Sequence, residues 1–149
     1  MKNLTIFVLM GIVYVCIEVF FSAFTSMRWR LTGSSSVWMF IVGGYLGLTV
    51  GAWSNYKHKL KYPFDVIVGA GLITLVELIS GIILNIWLKF DIWDYSSSRF
   101  NVLGQIDYIH SFCWLLLTPM IFWLNDVIRH YIFGEPKPSP FIYYYIGRY

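Results

Sequence analysis

The sequence predicts an all-α polytopic membrane protein: a four-helix transmembrane bundle with a structured loop between the third and fourth spans. Three observations predict it. Apolar residues make up 58% of the 149 residues and charged ones 13%, whereas soluble domains carry roughly 45–50% and ~25%. The apolar residues fall in four runs, each long enough to cross a bilayer. Lys and Arg gather at the ends of those runs. A soluble domain of this size still exposes about a third of its surface, and mean hydropathy here is +0.63, so lipid has to be most of the solvent. The same figures exclude a disordered chain, a collagen-like fibre and a disulfide scaffold.

The first run covers residues 4–26, between Lys2 and Met27-Arg28-Trp29-Arg30. It is too long for a signal peptide, carries Glu18 and lacks a small-x-small cleavage site, so it reads as a retained helix. The second, 37–54, stops before Lys57-His58-Lys59-Leu60-Lys61. The third, 64–88, opens after Pro63, a residue suited to a helix start, and closes at Lys89. The fourth, about 106–124, precedes Asn125, Asp126, Arg129 and His130. At about 1.5 Å of rise per residue, such runs span a ~30 Å hydrocarbon core. Residues 125–149 form an interfacial tail. Gly134-Glu135-Pro136-Lys137-Pro138-Ser139-Pro140 cannot be helical, and Tyr143-Tyr144-Tyr145 is placed at the membrane interface, where Tyr is enriched. Residues 1–149 read as one membrane domain.

An even number of spans puts both termini and the 55–63 loop on one side. That side holds Lys2, Lys57, Lys59, Lys61, Arg129, Lys137 and Arg148; the other holds Arg28, Arg30, Lys89 and Arg99. The positive-inside rule then makes both termini cytoplasmic in a bacterial cytoplasmic membrane. The net charge of +3 reflects these flanks and meets anionic headgroups. No basic stripe interleaved with aromatics is present, so nucleic acid is not an expected partner. Cys16 and Cys113 lie inside apolar runs as small thiols, with no CxxC or Cys/His metal spacing. No metal and no cofactor are expected.

Polar residues at membrane depth are the candidate functional groups. Glu18 and Glu77 both fall within roughly 5 Å of the midplane by helix rise. An ionisable residue there costs at least ~2.5 kcal/mol and has to face a bundle interior, a partner or a cavity. Gly11, Tyr14 and Glu18 share a helix face with Ser22 and Thr25, and Glu77, Gly81 and Asn85 follow i, i+4, i+8. One reading is a polar cavity lined by Glu18, Glu77 and Asn85, suited to cation or proton coordination or to acid/base chemistry. The other is two protonated acids, each hydrogen-bonded for packing alone. Gly43, Gly47 and Gly51 form a small-xxx-small ridge for close helix packing, within the bundle or between subunits. Gly69 and Gly71 add a second small patch.

Residues 89–105 are too long and too mixed in composition for a bland linker. Trp93, Asp94, Tyr95, Arg99, Asn101 and Gln105 stand among them, and His110 follows one turn into the fourth span. With Asp107, these side chains are candidates to surround the outer end of the acidic site as a lid or a headgroup- or solute-binding loop. Alternatively, Asp94 pairs with Arg99 or caps a short helix, and the aromatics form a membrane belt. His110 by itself reads more readily as a hydrogen-bonded helix residue than as a metal ligand.

Several blocks resemble a known family. They are Glu77-x3-Gly81-x3-Asn85, Trp93-Asp94-Tyr95-Ser96, Phe100-Asn101-x2-Gly104-Gln105-Ile106, Ser111-x2-Trp114, Tyr14-x3-Glu18, Trp38-Met39, Gly43-Gly44 and Tyr131-x-Phe133-Gly134-Glu135-x-Lys137-Pro138. Together they resemble the small bacterial membrane proteins of the type IV putative ABC-transporter permease family, some of which occur in prophage regions. Where similar members carry a His beside the Trp of span two, this chain has Val37, so no role for that His carries over. The resemblance implies transport. The chain has no GxxxxGK[ST] phosphate loop of its own and no evident coupling helix for an ATPase, so a separate ATPase is possible but finds no support in the sequence.

The sequence thus points to a transport or channel-type subunit with an acidic intramembrane cavity open toward the outer side. It is expected to work among membrane lipids and as a homo-oligomer. The alternatives are a phage-linked or structural interaction protein and a membrane enzyme acting on a lipid or isoprenoid headgroup. Against the enzyme stands the lack of a nucleophile-plus-base spacing.

Overall fold

A computed structural model describes residues 1–25, 35–54 and 61–147. The basic clusters around Arg28 and Arg30 and around Lys57, His58 and Lys59, together with Arg148, lie outside the described residues. The chain divides into two compact units, Met1–Leu48 and Thr49–Tyr149, described separately here.

The first unit holds helix α1, Lys2–Thr25, and the beginning of α2, Val37–Ser54. Ile6, Met10, Met39, Val42 and Leu46 are buried. The helices approach backbone to side chain. A Cβ on Gly43 or Gly47 would collide with the Cβ of Tyr14 or Met10, and one on Gly44 would come within 2.6 Å of the Phe7 ring. Gly11 answers from the other side, under Phe40. The ring of Phe7 meets Phe40 and Tyr45 edge-on, with centroids 6.0 and 5.3 Å apart. In lipid, where apolar burial drives little association, such close contact is what holds helices together. Gly47→Leu is expected to cost about 1–3 kcal/mol, the usual range for overpacking. Gly71, with nothing within 4 Å of a Cβ, should accept Ala with no loss. Thermal unfolding of both variants in one detergent checks the contrast.

In the second unit, α3 runs Phe64–Gly81 and continues as a π-helical segment, Ile82–Trp87. A short antiparallel pair follows, β1 Asn101–Val102 with β2 Ile106–Asp107, with Asn101 opposite Asp107 and Val102 opposite Ile106. Then come α4, Tyr108–Phe133, and α5, Phe141–Tyr145. Helices α3 and α4 touch where Gly69 lies under Phe122 and Thr118, since a Cβ there would come within 2.8 Å of each. Gly51 lies against the Asn125 amide. Trp53 Nε1 donates to the Asp65 carbonyl at 3.0 Å.

Two expectations change. The loop carries a β pair, so the protein is mainly rather than wholly helical. The fourth span starts two residues late and ends nine residues later than its apolar run. Asp107 is its N-cap, accepting from the His110 N–H at 2.8 Å, and Ile106 belongs to β2. Polar residues continue the helix because they find partners. Arg129 Nε donates to Asn125 Oδ1 at 2.6 Å and its Nη1 reaches Glu135 at 3.3 Å. Gly134, at φ 67°, closes the helix in the left-handed region that suits glycine. The tail packs back onto α4. Tyr144 is buried with its hydroxyl on Asp126, and Tyr62 Oη donates to the Tyr145 carbonyl at 2.8 Å. Burial, with Asp126 beside it, pushes the Tyr144 phenol upward.

Among the described residues, Lys2–Phe20, Phe64–Trp87 and Tyr108–Phe133 are long and apolar enough to cross a membrane; Val37–Trp53 is apolar but shorter. Along α3 the two faces separate cleanly. Leu75, Ile79, Ile83 and Ile86 are exposed, while Ile73, Glu77, Gly81 and Asn85 are buried. The outward row is an exposed apolar stripe, and the polar residues face the protein.

Candidate functional site

The polar site is built where the end of α3, the loop and the start of α4 meet. The π-helical segment has a wider turn than an α-helix, and Asn85 sits in it. Asn85 Nδ2 donates to the Trp93 carbonyl at 3.0 Å and to Gln105 Oε1 at 2.8 Å. Its Oδ1 accepts from the Ile92 N–H at 2.7 Å. Gln105 fits close to Gly81, where a Cβ would come within 2.6 Å of its Oε1. Gln105 also donates from Nε2 to the Leu103 carbonyl at 3.0 Å, and its own carbonyl accepts from Trp93 Nε1 at 2.9 Å. Asn85 and Gln105 thus staple the loop to the end of α3.

The loop is tied internally as well. Asn101 Nδ2 donates to the carbonyls of Ser98 and Ser96, at 2.8 and 3.3 Å, and its Oδ1 accepts from the Gly104 N–H at 2.9 Å. Tyr95 N–H donates to the Gly104 carbonyl at 2.8 Å. Gly104 has φ 69°, and a Cβ there would come within 2.9 Å of Asp94 Oδ1 and nearer still to the Ser96 hydroxyl, so both conformation and space call for glycine. Asp94 is exposed and accepts from the Ser96 N–H and hydroxyl. Arg99 lies over the Phe100 ring, 5.2 Å from its centroid. Asp94 is thus bonded within the loop, whereas Arg99 stays exposed above its neighbour's ring.

Under this cover sits Glu77, only 6% exposed. Trp114 Nε1 donates to Oε2 at 2.7 Å, and Tyr95 Oη to Oε1 at 3.4 Å. The Tyr95 ring stacks on His110, with centroids 4.3 Å apart and planes 21° from parallel. His110 Nδ1 contacts Asp107 Oδ1 at 2.7 Å, and Ser111 Oγ donates to the Asp107 carbonyl at 2.7 Å. Carboxylate, phenol, imidazole and second carboxylate therefore form a continuous string from α3 to the N-terminus of α4. Glu18 belongs to the first unit and accepts from the Ser35 hydroxyl. Among the described residues no group of three or more His, Cys, Asp or Glu could hold a metal ion.

Two carboxyls outside the spans, Asp94 and Asp107, are shifted. Burial pushes Asp107 up, but hydrogen bonds from the Ser98 side chain and from His110 outweigh it and hold the carboxyl below its usual range. The Ser96 hydroxyl and N–H hold Asp94 down. A carboxyl with a lowered folded-state pKa stabilises the fold above its unfolded value and loses that contribution as pH falls through the folded value. The loop should thus keep this stabilisation at neutral pH and begin to lose it only below about pH 4. Amide exchange over residues 94–110, corrected for intrinsic rates, checks this. Asp107→Asn should flatten the profile, and protection that instead falls between pH 5 and 8 would overturn it.

Trp114 is the functional neighbour that reasoning from spacing missed. It lies 37 residues from Glu77, and its apolar ring hid it within a span. Residues 4–145 match the family described as putative ABC-transporter type IV. The chain belongs to that family. It is a membrane protein, and the family description places it in an ABC-transporter context. No curated protein and no solved structure matches the chain. Within this family member, the Trp93–Ser96 and Phe100–Ile106 blocks build the cover, and Glu77, Asn85 and Trp114 are what it closes on.

Proposed function

We propose that this chain is the membrane subunit of a transport system, and that Glu77 is the point where a cation, a proton included, is accepted within the membrane. One observation carries the reading. Among the described residues, this carboxyl in an apolar helix is held by an indole N–H and a phenol O–H and by no ammonium or guanidinium group. An indole N–H only donates, so Oε2 is kept as an acceptor, and a carboxylate has about four acceptor positions. Two remain for a cation. Charge at this depth is expensive unless it serves a purpose.

In this reading four helices cross the cytoplasmic membrane, both termini are cytoplasmic and loop 89–105 caps the outer end. Several copies, with lipid between them, complete the path, and a separate ATPase supplies the energy. Glu77 alone carries the proposal.

The test is flux. The protein is reconstituted in liposomes loaded with a pH-sensitive dye, and a potassium diffusion potential is applied. Proton entry above that of empty liposomes is expected, and Glu77→Gln should lower it at least tenfold without changing assembly on a sizing column. Equal flux in wild type and variant would sink the proposal. The interaction-protein reading has one observation behind it: the loop's polar side chains bond to the chain itself. A Glu77→Ala variant that keeps both flux and loop protection would favour it.

A further inference from the structure

The loop that covers Glu77 also turns bulky apolar side chains away from the protein. Phe100 is 71% exposed and Leu103 64%, with Val102 and Tyr108 exposed beside them. The Phe100 and Tyr108 rings meet edge-on at 5.9 Å, so the patch is continuous from the hairpin to the first residue of α4. Phe100 and Leu103 have φ of 61° and 55°, left-handed positions that usually go to glycine or asparagine. A turn in water would be served by those small residues. Here the backbone takes an unfavourable conformation and displays large hydrophobes as well.

What covers the patch is shown by its neighbours. It runs on from exposed Tyr108, Ile109 and Phe112 of α4, near the end of an α3 face that exposes Ile83, Ile86 and Trp87. These residues belong to helices long and apolar enough to span a bilayer. Arg99 sits on the Phe100 ring at the polar edge of the patch, where a guanidinium meets anionic headgroups. Aromatic bodies with polar tips are favoured at that depth.

We propose that Phe100, Val102 and Leu103, exposed along the hairpin, insert into the headgroup–acyl boundary of the bilayer, with Arg99 at the phosphates. The loop is then fastened twice: to the end of α3 through Asn85 and Gln105, and to lipid through these exposed side chains. The covering of Glu77 becomes sensitive to the leaflet around it. This inference rests on the chain being a membrane protein and is independent of what Glu77 carries.

The test places an environment-sensitive fluorophore at Leu103→Cys in the full chain. Cys16 and Cys113 are replaced by Ala, and the vesicles contain phosphatidylethanolamine and phosphatidylglycerol. A second label at exposed Ser97→Cys serves as reference. The expected result is blue-shifted emission at 103, quenched at least threefold more than at 97 by lipids spin-labelled near the headgroup. Quenching at 103 by aqueous iodide, equal to that at 97, would overturn the proposal. Blue-shifted emission that neither quencher reaches would mean burial against protein, and would overturn it too. Loss of glycerophospholipid quenching at 103 with Glu77 flux intact would leave the transport reading standing.

Discussion

Asn85→Ala is expected to release the loop from the end of α3 while leaving α3 and α4 packed. One side chain satisfies the Ile92 N–H, the Trp93 carbonyl and the Gln105 amide oxygen, at 2.7–3.0 Å. Truncation strands all three. A buried polar group left without a partner costs about 1–3 kcal/mol. Ile92 and Trp93 are only half-buried and regain some hydration, so the sum is placed at about 3–5 kcal/mol. That would raise the loop's opening constant at least a hundredfold. The measurement is hydrogen exchange: residues 91–105 should lose protection by at least a hundredfold, and residues 66–80 should keep theirs. Asn85→Asp separates the two halves of the staple. It retains the acceptor for Ile92 but offers carboxylate oxygen to two other oxygens, so it should be as damaging as Ala. An Asp variant that protects the loop fully would mean that the Ile92 bond alone holds it.

The reason Asn85 matters was half visible in the sequence. Its place at i+8 from Glu77, with Gly81 between, marked a polar stripe within an apolar helix, and the structure buries all three. The stripe could not say what it faced, because Gln105 and Trp114 come from 20 and 37 residues along the chain. Small residues have the same limit. Gly43 and Gly47 announced a close approach, but that Tyr14 and Met10 fill it follows only from three-dimensional packing.

The ends of α4 were legible and misread for a physical reason. Counting apolar residues included Ile106 and ended the span at Leu124, although Asp107 is an N-cap residue type and Gly134 followed by Pro136 marks a helix end. Capping signals decide helix limits, whereas hydropathy decides only which stretch lies in lipid. Three successive tyrosines suggest an interface belt; that Tyr144 is buried and that Asp126 offers its hydroxyl a carboxylate follow only from the folded chain. The two-residue strands carried no signal long enough to read.

Trp114→Phe should be the most damaging conservative change in the second unit. The apolar character is kept, but the smaller ring leaves a gap, and Glu77 Oε2 loses its 2.7 Å donor and stays buried. Removing the indole N–H leaves a buried carboxyl oxygen without its donor, and the loss is set at about 1–3 kcal/mol. The diagnosis rests on the double variant. Replacing both partners with apolar side chains removes the stranded group, so Trp114→Phe with Glu77→Leu should recover most of the stability. Thermal unfolding of the four proteins in one detergent closes the cycle. A double variant no more stable than Trp114→Phe would show that indole packing, and not the hydrogen bond, is what matters. The same four proteins also separate structure from transport. If Glu77 serves packing alone, the double variant is stable and carries the same flux as wild type. If Glu77 accepts the cation, the double variant is stable and silent. Stability with loss of flux is the outcome expected here, because a carboxyl needed only for packing would be outperformed at this depth by leucine.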